Sequence, residues 1–488
     1  MVRFATFAKF AVGTTAPLVS LMVAAPAGSS ATPAGMSVPC TGQAALVAAI
    51  NAANGAGGGT INLAPGCHYA LTSSPDNSEN GLPVVTTQIG VNGNGATIDG
   101  TNSFRVLEVD GPGGNLTLNN VTVTGGSAQD FGGGMASMGG TVVLNRTQVT
   151  GNAAVQAGGG IASATFDPAS VAKLTLNHSA VTGNSQTAPP PNSAGGGGIV
   201  NILGTVTLNS SEVNTNTAMG FVGGGIASGD YINFSGTTSF LTLNRSQVVG
   251  NTAPNAGGGG IQNLLGTATL NSSQVDGNTS LNGGGIASGP GNGGQPLPAT
   301  SQLILNKSEV NGNTATAQPG GEGPPIAAGG IANGGNALLN GTEVDNNTAS
   351  ATSGAGIVNH ASMTLNKSEV NGNTAAGSGV IASGGGIINA QGPPGTVLTT
   401  LTLNNSQVEN NRAGGEGGGI ANGITAPGPP PLFGGTVTLN HSQVTGNAAA
   451  DGGGIFNFRG TVNLSATSVT GNTPDNCEPL GTIPGCSG

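Results

Sequence analysis

Leu403-Asn404-Asn405-Ser406-Gln407-Val408-Glu409-Asn410-Asn411 is one of twelve copies of a single phrase, and that repetition decides the fold. Leu439-Asn440-His441-Ser442-Gln443-Val444-Thr445-Gly446-Asn447 is another copy. Aligned on the Leu, that Leu and the Val five residues later are kept in all twelve. The Asn after the Leu is kept in eleven, Ser465 being the exception, and the Asn eight residues after the Leu in eleven, Gly126 being the exception. Between copies stands Gly-Gly-Gly-Ile-Ala-Ser or a near variant, eleven times. A fixed period of about 26 residues means a repeat architecture, in which each unit packs on its neighbours.

Each unit reads as short strands. In Leu401-Thr402-Leu403-Asn404 the Leu residues point one way and Thr402 the other, the alternation of a strand. Ile161, Ile199, Ile226, Ile261, Ile286, Ile331, Ile357, Ile387, Ile420 and Ile455 form a second inward column, headed by Met135. The glycine triplet before each supplies the positive-φ freedom of a tight corner. Short strands with no helical pattern point to one coil of a parallel β-helix per unit. Twelve coils at roughly 4.8 Å each predict a rod on the order of 60 Å long. One Leu, one Val and one Ile cannot offset the entropy of ordering a whole coil, so coils must stabilise one another. Stacked Asn columns can do this as amide ladders, and Asn also suits corners with positive φ.

Composition narrows the function. The 488 residues include 91 Gly, no Trp, 10 Lys plus Arg and 20 Asp plus Glu. An acidic chain repels phosphates, which excludes nucleic acid as a partner. Arg3 and Lys9, an apolar run from Phe10 to Ala25 and Ala25-Pro26-Ala27 read as a secretory signal. Without Arg3 and Lys9, 8 basic residues face 20 acidic ones, a net charge of −12. No later apolar span is long enough to cross a membrane. Four cysteines fit an exported chain. Three pairings exist, and Cys40 with Cys67 and Cys477 with Cys486 is the simplest, because a solenoid holds its ends apart.

The organisation that follows is all-β. It has a signal peptide (1–27), a leader and N-terminal cap (28–59) with a helix over 41–53, irregular opening coils (60–115), about twelve regular coils (116–473) and a C-terminal cap (474–488). Leu46, Ala49, Ile50 and Ala53 share the helix's apolar face, Thr41 can cap its start and Gly55 end it. Length variation enters at two places only. One is before the glycine triplet, as in Thr187 to Asn192. The other is after Ile-Ala-Ser, as in Gly229 to Phe234, Gly289 to Pro298 and Gly423 to Gly435. In repeat proteins such loops often form the binding surface.

These residues resemble the right-handed parallel β-helix proteins of the pectate-lyase-like superfamily. Among them the chain is most similar to the passenger regions of chlamydial polymorphic outer membrane proteins, with their Gly-Gly-Ala-Ile and Phe-x-x-Asn repeats. Gly-Gly-Gly-Ile stands for the first, and Val149-Thr150-Gly151-Asn152 and its copies for the second. The resemblance covers roughly residues 60 to 475 and implies the right-handed fold and a surface or adhesive role. It departs at the end, where Asn476-Cys477-Glu478-Pro479 to Cys486 shows no alternating membrane strands. Free secretion or cell-wall association is therefore expected.

Catalysis finds little support. Arg146, Arg245, Lys307 and Lys367, with His178 and His441, share the position two after the Leu, the mark of a solvated column. Relatives on this fold cleave polysaccharides with clustered acids beside Arg or Lys. The loops around Asp230-Tyr231, or Arg105 with Glu108 and Asp110, are where a lyase or hydrolase site acting on an acidic polysaccharide would lie. Glu309, Glu343 and Glu369 occupy one column in consecutive coils, where stacked carboxylates repel and Ca²⁺ would relieve them. Lys307 and Lys367, two residues before Glu309 and Glu369, would otherwise compensate. Ten of the twelve Leu-Asn copies match the glycosylation pattern Asn-x-Ser/Thr, but their place in a structural column favours the ladder. The sequence thus predicts a secreted, non-catalytic β-helix rod, adhesin-like or structural, contacting a surface protein or polysaccharide and needing no cofactor.

Overall fold

The computed structural model describes residues 35–189, 195–220, 222–230, 238–289, 301–316, 327–350, 354–376, 383–391, 398–425 and 432–487. The signal segment 1–27, and most of the length-variable insertions, lie outside these. The chain is a right-handed parallel β-helix. One coil shows the plan. Thr141–Asn145 is a strand, Arg146 a corner, Gln148–Thr150 a second strand and Ala153–Ala154 a third; after the glycines 158–160 comes a fourth, Ile161–Ala164. Successive coils pair parallel and in register, Leu144 with Leu176 and Ile161 with Ile199. We call the sheet of five-residue strands the long sheet and that of the Ile strands the isoleucine sheet.

The repeated apolar letters form one continuous core running from Val38 to Ile483. Leu144, Val149 and Ile161 are fully buried, as are their copies in most coils. The glycine triplet has two physical causes. In Gly258-Gly259-Gly260 only Gly258 has a positive φ, 67°. A Cβ on Gly259 would meet Gly284 O at 2.4 Å and Thr279 O at 2.6 Å, and one on Gly260 would meet Gly285 O at 2.8 Å. The second and third glycines are there for close backbone approach.

Both Asn columns are ladders, running in opposite senses. After each Leu, Asn Nδ2 donates to Oδ1 of the preceding coil's Asn, in twelve bonds of 2.8–3.2 Å from Asn440 back to Asn62. This ladder lies half-buried on the outer face of the long sheet, and it engages the nitrogen that a glycan would carry. The second ladder is buried, and each Asn donates onward to the next coil, from Asn152 to Asn476, over 2.9–3.1 Å. Neither column sits at positive φ. That conformation falls on the residue after the first Asn, as at Arg146 (49°), and on the one before the second, as at Gly151 (64°). Asn is kept for its amide, not for its backbone tolerance. A third ladder, Asn333, Asn359, Asn389, Asn422 and Asn457 on the isoleucine sheet, is not marked by the repeat because the column mixes Ser and Asn in earlier coils, where Asn201 donates to Ser228 and Asn263 to Ser288.

The N-terminal end differs in detail from expectation. The helix spans Gln43–Gly55 and buries Leu46, Ala49, Ile50 and Ala53. Its N-cap is Gly42 with no side-chain bond, so Thr41 does not cap it. Within the stretch read as flexible leader, Met36–Val38 is a strand paired with Ile61–Leu63. Tyr69 Oη holds it by donating to Val38 O at 3.0 Å. The opening coils carry the same register without the glycine phrase: Gln88–Asp99 pairs with Gly58–Asn62 on one side and Asn115–Thr124 on the other. Disulfides join Cys40 to Cys67 and Cys477 to Cys486, one at each end of the rod.

Candidate functional site

The densest charge cluster among the described residues is built on Arg105, whose side chain is only 3% exposed. Nε donates to Phe131 O at 3.0 Å and Gly132 O at 3.3 Å. Nη1 donates to Asn80 Oδ1 and Glu108 Oε2, both at 2.8 Å. Nη2 donates to Glu79 Oε1 at 2.7 Å and to the Asp130 carboxylate. All five N–H groups of the guanidinium are thus engaged. Asn80 completes the network by donating to Glu108 at 2.7 Å. The cluster ties the 74–80 loop to two successive coils.

Three carboxylates around one guanidinium leave excess negative charge. Burial pushes the Glu79 carboxyl up to about 7, and its hydrogen bond with Asp130 adds to the rise, against the Arg105 charge. Arg105 and Glu108 therefore do meet, as the sequence predicts. Asp110 does not join them: it stands exposed at the end of its strand, its backbone bridged to Gly139. Glu79, Asn80 and Asp130 escaped the sequence reading because each lies about 25 residues from Arg105 and none belongs to a repeated column. At the other predicted locus, Asp230 is fully buried and Tyr231 lies outside the described residues.

This geometry restricts the chemistry. A lyase needs a cation free to meet the substrate's carboxylate, and Arg105 has no free donor. A glycosidase needs its two carboxyls roughly 5 Å or more apart and free to meet the substrate, whereas Glu79 and Asp130 both accept from the same Arg105 Nη2. The arrangement is that of a clamp.

No protein-family model matches this chain, and no curated protein matches it. A search of solved structures finds a similarity to the A-module of the mannuronan C-5 epimerase AlgE6 of Azotobacter vinelandii. The two share 15% identity over 88% of this chain and 95% of that one, with a TM-score of 0.41.

The acidic columns lie on the three-residue strands. Glu309, Glu343 and Glu369 stack in register, flanked by Gln274, whose Nε2 donates to Glu309 at 3.0 Å. The neighbouring column alternates acid and amide: Asp276, Asn311, Asp345, Asn371, then Glu409. Asp345 is pushed up to about 6, chiefly by burial, then by the charges of Glu369, Glu343 and Glu309, while the Asn371 N–H opposes the rise. Lys307 and Lys367 do not share a strand face with the Glu column. They occupy the positive-φ corner, at 49° and 50°, and make no ion pair with Glu309 or Glu369. Arg146, His178, Arg245 and His441 occupy the same corner.

A second acidic group, unseen in sequence, closes the C-terminal end. One carboxylate oxygen from each of Asp451, Asp475 and Glu478 lies within 4.8 Å of the others. Coil stacking joins residues that the sequence separates by a full turn. Burial, then the Asp451 charge, pushes the Asp475 carboxyl up.

Proposed function

We propose that this protein is a secreted, non-catalytic β-helix rod that binds at a cell-surface, cell-wall or matrix component. One observation carries the reading. The long sheet keeps its register coil after coil from Asn115 to Ser465, while length variation enters only at the two corners flanking the isoleucine sheet. A scaffold held constant with variation confined to its edges is how solenoids present a contact surface. The saturation of Arg105 supports the same reading, and the two disulfides fit an oxidising compartment. No helix among the described residues is long and apolar enough to cross a membrane.

The test incubates residues 28–488 with acidic and neutral polysaccharides, with Ca²⁺ or EDTA. Retention without cleavage supports the rod. Retention that needs Ca²⁺ and is lost in Glu343→Gln assigns the Glu309, Glu343 and Glu369 column as the ion's site. New unsaturated or reducing ends would replace the rod with the second reading, a polysaccharide lyase or hydrolase.

A further inference from the structure

The outer face of the long sheet, from Asn115–Asn119 to Thr461–Ser465, is built unlike the rest of the surface. It has twelve strands with three outward positions each, 36 in all, of which fourteen are Thr and fourteen Asn. One is charged, Lys173, in a chain with 20 acidic residues. Six acids, Glu212, Asp276, Glu343, Asp345, Glu369 and Glu409, stand on the neighbouring three-residue strands instead. Thr205, Thr207 and Asn209 face out together, as do Thr267, Thr269 and Asn271, Thr400, Thr402 and Asn404, and Thr436, Thr438 and Asn440.

These side chains form a fixed lattice. Coils stack about 4.8 Å apart, and alternate residues of a strand lie about 6.7 Å apart. The Asn ladder pins its column and resists the twist that sheets otherwise adopt. Thr is β-branched and stiff at χ1, and Thr400 Oγ1 also donates to Ser362 Oγ at 3.1 Å. The face therefore loses little freedom on meeting a rigid partner. It is roughly 50 Å by 13 Å, on the order of 700 Å², comparable to one side of a specific interface. It is a flat array and encloses no small ligand.

We propose that this face binds the surface of ice. The inference goes beyond the rod reading: it takes the rod scaffold from it and gives the constant long sheet, rather than the variable corners, a partner of its own. An uncharged face matches an uncharged solid, and it would repel neither. The oxygen rows of hexagonal ice repeat on the same two scales as the lattice. Thr offers a hydroxyl to those rows and a methyl to the gaps between them. A crystalline polysaccharide is the competing solid, but its sugar faces call for aromatic platforms, and this face holds only Phe240.

The experiment grows a single ice crystal in a solution of fluorescently labelled residues 28–488 and measures protein in the ice, together with crystal shape in a cooling stage. The wild type is expected to enter the ice and facet the crystal. Thr402→Lys is expected to lose about tenfold or more of that uptake, because it sets an unpaired charge against the solid. Thr445→Lys, on the adjacent three-residue strand, is expected to keep it. Circular dichroism melts establish that both variants fold. Exclusion of the wild type from ice overturns the proposal, as does unchanged uptake by folded Thr402→Lys or equal loss in Thr445→Lys. A wild type excluded from ice but retained on a polysaccharide would sink the ice assignment and leave the rod reading standing. A dimer that Thr402→Lys dissolves would assign the face to self-association and equally overturn it.

Discussion

Asn313→Ala and Asn306→Ala remove the same side chain from the same coil, seven residues apart, yet the structure gives them different costs. The Asn313 side chain is fully buried and makes four hydrogen bonds. It accepts from Asn278 N at 2.9 Å and Asn278 Nδ2 at 3.0 Å, and donates to Val275 O at 2.8 Å and Asn347 Oδ1 at 3.0 Å. Three of the partners keep another bond: Asn278 Nδ2 to Val248 O, Asn347 Oδ1 from Asn313 N, and Val275 O from Asn311 N. The Asn278 backbone N–H keeps none. An orphaned buried donor costs about 1–3 kcal/mol and each of the three other bonds about 1 kcal/mol net, so the loss should be about 5 kcal/mol. Asn306 is half-buried and makes two ladder bonds, to Asn271 and from Asn340, each 2.9 Å. Water can replace both, so its loss should stay near 1 kcal/mol. Urea titrations followed by circular dichroism, with hydrogen exchange to locate the weakened coils, measure the difference. Equal losses, or a larger one at Asn306, would refute the claim that two equally repeated Asn columns differ in energetic origin.

Other outcomes follow from the same geometry. Glu79, raised to about 7, contributes stability that is complete below its unfolded value near 4.5 and lost as pH rises through 7. Proteolysis in the 74–80 loop should therefore accelerate as pH rises from about 5 to about 7 and level off above that in the wild type, and change little with pH in Glu79→Gln. Gly259→Ala forces a Cβ against two carbonyls and should destabilise by more than the roughly 1–2 kcal/mol of Gly277→Ala, which meets nothing within 4 Å and has only its φ of 62° against it; thermal melts of the two variants decide. Opening the Cys40–Cys67 bridge, a separation of 27 residues, should cost about 3.5 kcal/mol, and Cys477–Cys486, a separation of 9, about 2.5 kcal/mol. Urea midpoints of the two Cys→Ala pairs check that order.

The fold was legible because each coil repeats the same solution, so twelve copies separate what the backbone requires from what it tolerates. Leu, Val and Ile stand out by burial, and the second and third glycines by the space they leave. What the repeat could not reveal was which physical demand each constant letter met. Asn at a corner fits both an amide ladder and a positive φ; the structure assigns the amide to Asn145 and the φ to Arg146. Lys307 and Glu309, two apart, read as neighbours on one face until a positive-φ residue between strands turns one away from the other.

The same logic explains why the Arg105 cluster stayed hidden. Periodicity finds residues that every coil needs, whereas a unique site needs residues that one coil has and the others lack. Glu79, Arg105 and Asp130 each occur once, about a coil apart, in the opening turns where the glycine phrase has not begun. There the register is held by Gln88–Asp99 and its partners, by the Asn62, Asn92 and Asn119 start of the first ladder and by the pairing of Leu107–Asp110 with Met135–Met138, and the buried guanidinium with its five donors supplies the buried cross-coil bonds that the later coils obtain from Asn152 onward. The second, buried ladder begins at Asn152, and the coil before it has Gly126 in that place, whose N–H donates to Asn152 Oδ1 at 2.8 Å. The clamp and the ladder thus divide the rod between them. The clamp orders the coils that precede the ladder, and so loosening Arg105 should fray the N-terminal turns while leaving exchange protection from Asn184 onward intact.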